Sequence, residues 1–508
     1  MFKNNHTSSE SISRNPKIAK WMTLAATCLG LLLLNIDLFI VNVALPSISH
    51  DLHAPVNIVS WTISTYVLML GVLPAGLGKI GDIWGQKKCY LGGLTLFTLA
   101  SLACGLAPSI GWLIAFRTLQ GIGAAAITPG TLAILIRAFP RNQKGFAIGL
   151  NGGIGGLGLV AGPVLGGVII AGSSWRWIFF VNIPLGLLAI VLTAVFVVES
   201  HFEVKSKAMD WLGMLCLCVG LFPILFAFTR AESNGFDPLS MVALLGGLVV
   251  LGLFIFVEKR AVHPLIELSL FKNAAFIMPC ISLFLFSAAL FGSQPYWNLF
   301  FQNFWGFTPL QGGLAFLPAT VLIAVLTPLS GILSQKSERH LRYIVMLGVV
   351  LVGFSFFYVT RINSQSHFVN GFLPSLLIRG VGIPILMAST SLAIMNAVSD
   401  DQSGLAAGML NIFKNIGTAM GVALLGQTYI HAVRQRLSLL HGVRSPYRVS
   451  EIKESAYQFI SSHDHFIRTM TDVAIIKGFD KMSMICMLAF IPAFISAFLI
   501  KNNKNTNL

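Results

Sequence analysis

The sequence predicts an all-α protein that crosses a membrane fourteen times, and its composition supports this fold class. The 508 residues are 55% apolar, 10% are charged, and the mean hydropathy is +0.78. A soluble domain carries about 25% charged residues, so a soluble enzyme is excluded. An unfolded chain is excluded as well, because disorder requires few aromatic residues, whereas this chain has 38 Phe.

Long apolar runs bounded by Pro, Gly and charged residues predict the individual helices. The first run, Trp21 to Leu45, is too long for a signal peptide, so we read it as an uncleaved span after a polar tail over residues 1–20. Each span needs about 20 apolar residues. The fourteen predicted spans are 21–45, 58–77, 89–107, 110–136, 145–171, 177–198, 211–228, 239–257, 275–300, 311–333, 343–360, 373–397, 405–430 and 481–500.

The distribution of Lys and Arg predicts the orientation of these spans. An even number of spans places both termini on one side, where the tails and loops hold 20 Lys and Arg residues, against 11 on the opposite side. Because cytoplasmic loops are the richer in Lys and Arg, we expect both termini to be cytoplasmic. The formal charge of +15 then reflects orientation and not a surface for nucleic acid.

A weak internal repeat predicts two related halves. At an offset of 259 positions, six glycines of spans 4 and 5 meet glycines of spans 12 and 13. The pairs are Gly121 with Gly380, Gly123 with Gly382, Gly145 with Gly404, Gly149 with Gly408, Gly158 with Gly417 and Gly162 with Gly421. Duplicated halves are common in transporters. We therefore predict one six-helix bundle over 21–198 and another over 275–500 that includes an outer loop at 431–480. The inserted helix pair then covers 199–274 and a short tail covers 501–508.

Four charged residues fall well inside the predicted spans, away from their ends. Asp37 is the one acid, and the cations are Arg117, Arg379 and Lys414; we expect no acid inside spans 9–14. A charge in mid-membrane costs several kcal/mol, about 3 or more by most scales, and usually marks a functional site. Asp37 and Arg117 could pair directly or line one water-filled cavity, which Arg379 and Lys414 could share. A purely structural pair that holds helices together is the alternative.

Five segments resemble one family, in the order that the family requires. Asn35–Pro46 resembles the first-helix signature of the fourteen-helix drug:proton antiporters of the major facilitator superfamily. Gly78–Lys88 is similar to the superfamily's cytoplasmic loop between helices 2 and 3, and Arg117–Gly123 to its helix 4 motif. Trp175–Gly186 and Pro264–Phe271 look like the approaches to helices 6 and 9.

The resemblance implies roles for particular residues. It links Arg117 to proton coupling, with Asp37 as the carboxylate that carries the proton. It also implies a conformational latch that involves Gly78, Asp82, Gly85, Lys87 and Lys88, although Ile83 stands where the family usually has Arg. We expect Asp82 to approach the start of span 13 near Gly404, because a helix N-terminus attracts carboxylates. A solvated loop acid is the alternative for Asp82.

The glycines of span 5 have two interpretations. Gly158, Gly162 and Gly166 share one helix face, and such faces let helices approach closely in lipid. By resemblance, Gly158, Gly162, Pro163, Gly166 and Gly167 form the motif that marks antiporters. The glycines at 153, 155 and 158 also match GxGxxG, but a nucleotide site requires a preceding strand, so we reject it.

Aromatic residues crowd span 9 and its outer end. They could form a wall for flat apolar substrates, although residues of this kind more often face lipid or an interface, and we favour that second reading. The set is Phe284, Phe286, Phe291, Tyr296, Trp297, Phe300, Phe301, Phe304 and Trp305. Tyr296 and Trp297 join Arg379, Lys414 and Asn42 as candidate substrate-binding residues.

Catalytic and metal sites are not indicated. We place all eleven His in loops or at span ends, where His50, Asp51 and His53, or His463 to His465, could bind a metal only weakly. The seven Cys do not suggest disulfides. We expect no enzyme activity, no metal and no cofactor.

These observations predict a proton-driven exporter of amphipathic small molecules in the cytoplasmic, or inner, membrane. We expect neutral, anionic or monocationic substrates, a functional monomer with protons and the lipid bilayer as partners, and no nucleic acid partner. A periplasmic adaptor and an outer-membrane channel are further candidate partners. Two alternatives stay open: export of an endogenous metabolite such as a siderophore, and a membrane sensor or assembly subunit that acts through the outer loop.

Overall fold

The computed structural model describes residues 16–199, 209–336, 340–399, 402–441 and 465–500, and this part of the chain is helical with no strand. The helices are α1 (Pro16–Asp51), α2 (Val56–Val59), α3 (Trp61–Val72), α4 (Pro74–Trp84), α5 (Gln86–Gly105), α6 (Ile110–Ala138), α7 (Lys144–Gly172), α8 (Trp177–Phe180), α9 (Asn182–Phe196), α10 (Trp211–Asn234), α11 (Pro238–Glu258), α12 (Ala274–Trp305), α13 (Pro309–Ala315), α14 (Leu317–Lys336), α15 (Leu341–Val359), α16 (Leu373–Asn396), α17 (Ser403–His441) and α18 (His465–Phe498).

The number of membrane-crossing helices agrees with the prediction. Within the described ranges, 13 helices are long and apolar enough to cross a membrane, and the pair α3 and α4, bent by 51°, makes a fourteenth. The all-α membrane fold is therefore confirmed. We call the end of the bundle where α1 begins the N-terminal face.

The segment Gly78–Lys88, predicted as a loop, is helical almost throughout. Residues up to Trp84 belong to α4 and those from Gln86 onward to α5. Only Gly85 interrupts the helices, with φ at +114°. Glycine adopts this backbone conformation without the steric penalty that a side chain brings, so two helices can be joined by a single residue.

The predicted outer loop over 431–480 was too long. Helix α17 continues to His441 and α18 already begins at His465, while residues 442–464, with His463 and Asp464, lie outside the described residues. The apolar span of α18 starts at Asp472. Asp480 thus lies inside a spanning helix, paired with Lys477 at 3.9 Å, which corrects the expectation that spans 9–14 hold no acid.

Equivalent glycines pack equivalent helices in the two halves. A Cβ on Gly162 of α7 would lie 3.0 Å from the carbonyl oxygen of Ile36 in α1. A Cβ on Gly421 of α17 would overlap the backbone of Ala288 in α12. Small residues allow such backbone contacts, which dispersion stabilises in lipid. The pairs α1 with α7 and α12 with α17 are therefore packed alike, while α10 and α11 pack against each other and α10 rests on α3 and α17.

Five of the nine aromatic residues singled out along α12 are core residues, which corrects both readings made from the sequence for these five. Phe286, Tyr296, Trp297, Phe300 and Phe301 are all at most 5% exposed. The rings of Trp297 and Phe301 contact Phe372, directly before α16, and those of Trp297 and Phe300 contact Phe479 of α18, with the centroids of Phe300 and Phe479 4.2 Å apart. These five residues neither face lipid nor line an open path, and Trp297 and Phe300 hold α12 against α18. The other four, Phe284, Phe291, Phe304 and Trp305, are half-buried.

The glycine contacts lead to a stability prediction. Gly162→Ala places a methyl group against the Ile36 carbonyl oxygen and 2.8 Å from the Phe39 Cβ atom. Overpacking of this kind costs about 1–3 kcal/mol, so thermal unfolding of the purified protein should occur at a lower temperature. Gly167→Ala is the matched control in the same helix, since a Cβ there meets nothing within 4 Å. Equal unfolding temperatures for the two variants would contradict this packing.

Candidate functional site

A buried ion pair joins Asp37 of α1 to Arg117 of α6. The Arg117 Nη1 atom lies 2.6 Å from Asp37 Oδ2, and both side chains are 0% exposed. Arg117 also donates from Nε to the Thr62 carbonyl oxygen at 3.0 Å. Its guanidinium carbon lies 4.3 Å from the centre of the Tyr66 ring, a distance typical of a cation–π contact. Of the two arrangements left open by the sequence, the structure has the direct pair.

Two amides complete the coordination of the Asp37 carboxylate. Oδ1 accepts a hydrogen bond from Gln120 Nε2 at 2.9 Å and another from Asn182 Nδ2 at 2.8 Å. Asn182 also donates to Ser101 Oγ at 3.1 Å. We did not single out Gln120 or Asn182 from the sequence, although both lie inside the quoted segments Arg117–Gly123 and Trp175–Gly186. Three helices, α1, α6 and α9, therefore meet at this carboxylate, and Ser101 of α5 binds Asn182 behind it.

Unused hydrogen-bonding capacity remains around the pair. Tyr66 Oη, Arg117 Nη2 and Asn182 Oδ1 are buried and have no hydrogen-bond partner within the part of the chain that the structure describes. Buried polar groups are usually satisfied, so a cluster of three such atoms around one carboxylate is unusual. Two donors, Tyr66 Oη and Arg117 Nη2, and one acceptor, Asn182 Oδ1, are therefore available for new hydrogen bonds if the protonation state of Asp37 changes.

A second acid, Asp82 of α4, joins the two halves at the N-terminal face. Its carboxylate accepts hydrogen bonds from the backbone nitrogens of Gly404 at 3.1 Å and Leu405 at 2.9 Å, at the start of α17. A carboxylate is favoured there by the helix dipole and the free N–H groups. Gly78, one turn earlier, lies so close to Gly404 that a Cβ on it would overlap the Gly404 carbonyl. We call this contact of α4 with α17 the first seam.

The cation that binds Asp82 comes from α6. Arg137 Nη2 lies 2.8 Å from Asp82 Oδ1, and Gln86 Nε2 donates to the same oxygen at 2.8 Å. Arg137 thus supplies the positive charge that Ile83 lacks. It was not identified from the sequence because it was counted as an ordinary loop cation.

The remaining predicted latch residues stay within the N-terminal half. Glu199 accepts from the backbone nitrogens of Lys87 and Lys88 at 3.2 Å each. The Lys87 ammonium donates to the Ala194 carbonyl at 2.8 Å. A Cβ on Gly85 would lie 2.6 Å from the Glu199 carboxyl carbon. These residues shape the α4–α5 turn, and they do not reach α17.

A second seam joins α7 to α14 at the same face. A Cβ on Gly145 would overlap the Gly331 carbonyl oxygen, and the Gly145 backbone nitrogen donates to Gln335 Oε1. Gly331 lies 253 positions after Gly78, and Gln335 lies 253 positions after Asp82. The two seams are therefore related in sequence, but one uses a carboxylate and the other an uncharged amide.

Arg379 of α16 does not join Asp37. Its guanidinium carbon lies 3.2 Å from the centre of the Trp297 ring and 4.0 Å from that of Phe356, and its Nε donates to Ser355 Oγ at 3.0 Å. Tyr296 donates to the Val422 carbonyl at 2.9 Å. Arg379, Tyr296 and Trp297 thus belong to the core of the C-terminal half, which corrects the expectation of one shared path with Asp37.

The other two candidates are more accessible. Asn42 is exposed and donates back to the Leu38 carbonyl of its own helix at 3.1 Å. Lys414 is half-buried in α17. Among the described residues, no group of three or more His, Cys, Asp or Glu side chains could hold a metal ion, and Asp51, one of the residues considered for this role, binds Trp175 and Arg176 instead.

Comparisons with known proteins identify the family. The model of the Major Facilitator Superfamily matches residues 27–422. Multidrug resistance protein Stp of Mycobacterium tuberculosis is 32% identical over 407 residues, which are 80% of this chain and 75% of Stp. Drug efflux pump JefA of the same organism is 33% identical over 80% of this chain and 79% of JefA. The tetracenomycin C resistance and export protein of Streptomyces glaucescens is 29% identical over 83% of this chain and 77% of that protein.

Solved structures show the same fold. The human organic anion transporter MFSD10 superimposes with a TM-score of 0.60 at 13% identity, over 96% of this chain and 100% of its own. A bacterial homologue of the human lysosomal transporter Spinster superimposes with a TM-score of 0.56 at 15% identity, over 97% of this chain and 100% of its own. The chain is therefore a member of the major facilitator superfamily of membrane transporters, as its motifs predicted, and it is not an enzyme.

Proposed function

We propose that this transporter exports amphipathic small molecules across the cytoplasmic membrane in exchange for protons, with Asp37 as the proton carrier. The observation that supports this most strongly is the Asp37–Arg117 pair. The pair is fully buried, and the polar atoms Tyr66 Oη, Arg117 Nη2 and Asn182 Oδ1 beside it have no hydrogen-bond partner in the described chain. Ionised groups inside a membrane are costly and are retained mostly for function. The drug resistance and export proteins among the relatives support the choice of substrates.

The proton reaction follows from the geometry of the carboxylate. In its ionised form, Asp37 accepts from Arg117, Gln120 and Asn182. A protonated carboxyl group has one donor and less acceptor strength, so it releases Arg117. The free Asn182 Oδ1 atom can then accept the new O–H after a rotation of the amide. Proton uptake therefore weakens the junction of α1 with α6.

The seams provide the coupling to alternating access. The excess of Lys and Arg assigns the N-terminal face to the cytoplasm. With both seams closed, the substrate path opens to the opposite side, and both seams separate when substrate enters from the cytoplasm. Rigid halves that rock about a central site are the usual design of such transporters.

The proton gradient supplies enough free energy for efflux without a nucleotide. Each proton that moves down 100 mV supplies about 2.3 kcal/mol. This corresponds to roughly a fifty-fold concentration ratio, since about 1.4 kcal/mol equals a factor of ten. A siderophore or another endogenous product could be the natural substrate, and an accumulation screen in cells without other pumps would identify it.

The first prediction from this mechanism concerns Asp37. Asp37→Asn keeps the side-chain shape but removes the ionisable group, so proton-driven accumulation of substrate in inside-out vesicles should stop. The variant should also unfold at a lower temperature, because an unpaired buried Arg117 costs about 3–5 kcal/mol.

A double variant separates coupling from stability. Asp37→Asn with Arg117→Gln removes both charges, so much of the lost stability should return while efflux stays absent. Proton-driven efflux by either variant at the wild-type rate would exclude Asp37 as the proton carrier.

The second prediction concerns the first seam. Asp82→Asn weakens the hydrogen bonds from the Gly404 and Leu405 amides, since hydrogen bonds to a charged acceptor are about twice as strong as neutral ones. Hydrogen exchange at these two amides should become faster, and efflux should slow by at least about ten-fold if about 1.4 kcal/mol of closed-state stability is lost.

Asp210→Asn is the matched control at the same face. Asp210 caps α10 through the Gly213 backbone nitrogen at 2.7 Å and does not contact either seam. This variant should leave exchange at Gly404 and Leu405 unchanged. The latch would be refuted if Asp82→Asn and Asp210→Asn behaved alike in both measurements.

A further inference from the structure

Lys414 carries a charge that nothing in the described chain balances. It lies eleven residues after the start of α17, which is roughly 16 Å along the helix axis and near the middle of a hydrocarbon core about 30 Å thick. Across residues 16–199, 209–336, 340–399, 402–441 and 465–500, no hydrogen bond or ion pair of its ammonium group occurs. The side chain is half-buried, so the charge is not simply solvated.

The contacts of α17 place Lys414 on its inner face. Ala423, nine residues later and therefore on the opposite side of the helix, packs with Phe228 and Ala231 of α10. Gly417, to one side of Lys414, and Gly421, two turns further along on nearly the same face, pack against α12. On the other side, Gly408 packs against Pro74 and Ala75 of α4, and Asn415 donates to the Leu70 carbonyl at 2.7 Å. Lys414 thus lies between the helices of the two halves.

The other charges in the spans cannot neutralise Lys414. Both oxygens of Asp37 are occupied by Arg117, Gln120 and Asn182, and Asp480 pairs with Lys477. Arg379 is compensated differently, since two aromatic rings and a Ser hydroxyl surround its guanidinium group. Unlike Arg117 and Arg379, Lys414 has no such surroundings in the described chain.

We propose that Lys414 binds the acidic group of the substrate, so that the preferred substrates are amphipathic anions with a carboxylate or sulfonate. An ammonium group with three donors is suited to such an oxyanion. The attraction is strong where little water is present, and the apolar part of the substrate then lies between the halves. This inference rests on the proposed export function, of which it specifies the substrate class.

Two dyes of the same shape provide the test. 1-Anilinonaphthalene-8-sulfonate is an anion, and N-phenyl-1-naphthylamine is the same ring system without the sulfonate. Binding of each to the purified full-length protein is measured by fluorescence titration. Lys414→Gln should weaken binding of the sulfonate by at least about ten-fold, as expected for the loss of one charge contact, and binding of the uncharged dye by less than about two-fold.

Two further variants make the result specific. Lys414→Arg keeps the charge and should bind the sulfonate within about three-fold of wild type. Lys481→Gln removes an exposed Lys from α18 and should change neither affinity. Lys414→Gln should unfold at the same temperature as wild type or higher, because it removes an unpaired, half-buried charge.

The outcomes separate this inference from the proposed function. If Lys414→Gln weakens both dyes equally, lowers the unfolding temperature or leaves sulfonate binding unchanged, the anion site is refuted. Proton-driven export of the uncharged dye by wild-type vesicles, abolished by Asp37→Asn, tests the export function separately. Export without a Lys414-dependent anion site refutes only the inference, and a Lys414-dependent site without export of either dye refutes only the proposed function.

Discussion

The ion pair of Asp37 and Arg117 is the constraint on which the N-terminal half depends. Removal of both charges from water costs several kcal/mol per ion, and only good geometry with additional hydrogen bonds repays it. The pair therefore requires Gln120 from its own helix α6, Asn182 from α9 and the Thr62 carbonyl from α3 at fixed positions. Packing of apolar side chains in lipid could not select one arrangement so strictly, because lipid competes equally well for apolar surface.

The two halves meet through contacts of a different kind. At both seams, glycines bring backbones together, and a side-chain oxygen of α4 or α14 accepts from the N-terminal amides of a helix in the other half. Asp82 holds its seam with a charge and is further bound by Arg137, whereas Gln335 is neutral, so the related positions differ in strength.

Features that are marked by one type of residue could be predicted from the sequence. A carboxylate in an apolar run is conspicuous, so Asp37 was recognised, and Pro, Gly and charge located fourteen spans. Gln120, Asn182 and Gln335 were missed because uncharged amides stand out in no pattern until folding brings distant helices together. The aromatic residues of α12 were misassigned because an apolar helix has no polar face that separates lipid from core. Asp480 was misassigned because the polar first turns of α18 resemble a loop.

The glycines of α7 have a mechanical consequence for Asp37. Gly158 and Gly162 pack against the backbone of α1 at Leu32 and Ile36. These two residues are one helical turn apart, and Ile36 is next to Asp37. With no flexible side chains between them, the two backbones cannot slide past each other by rearranging rotamers. A displacement of α1 therefore moves α7 with it as a rigid body. Gly145, which forms the second seam, lies at the far end of α7.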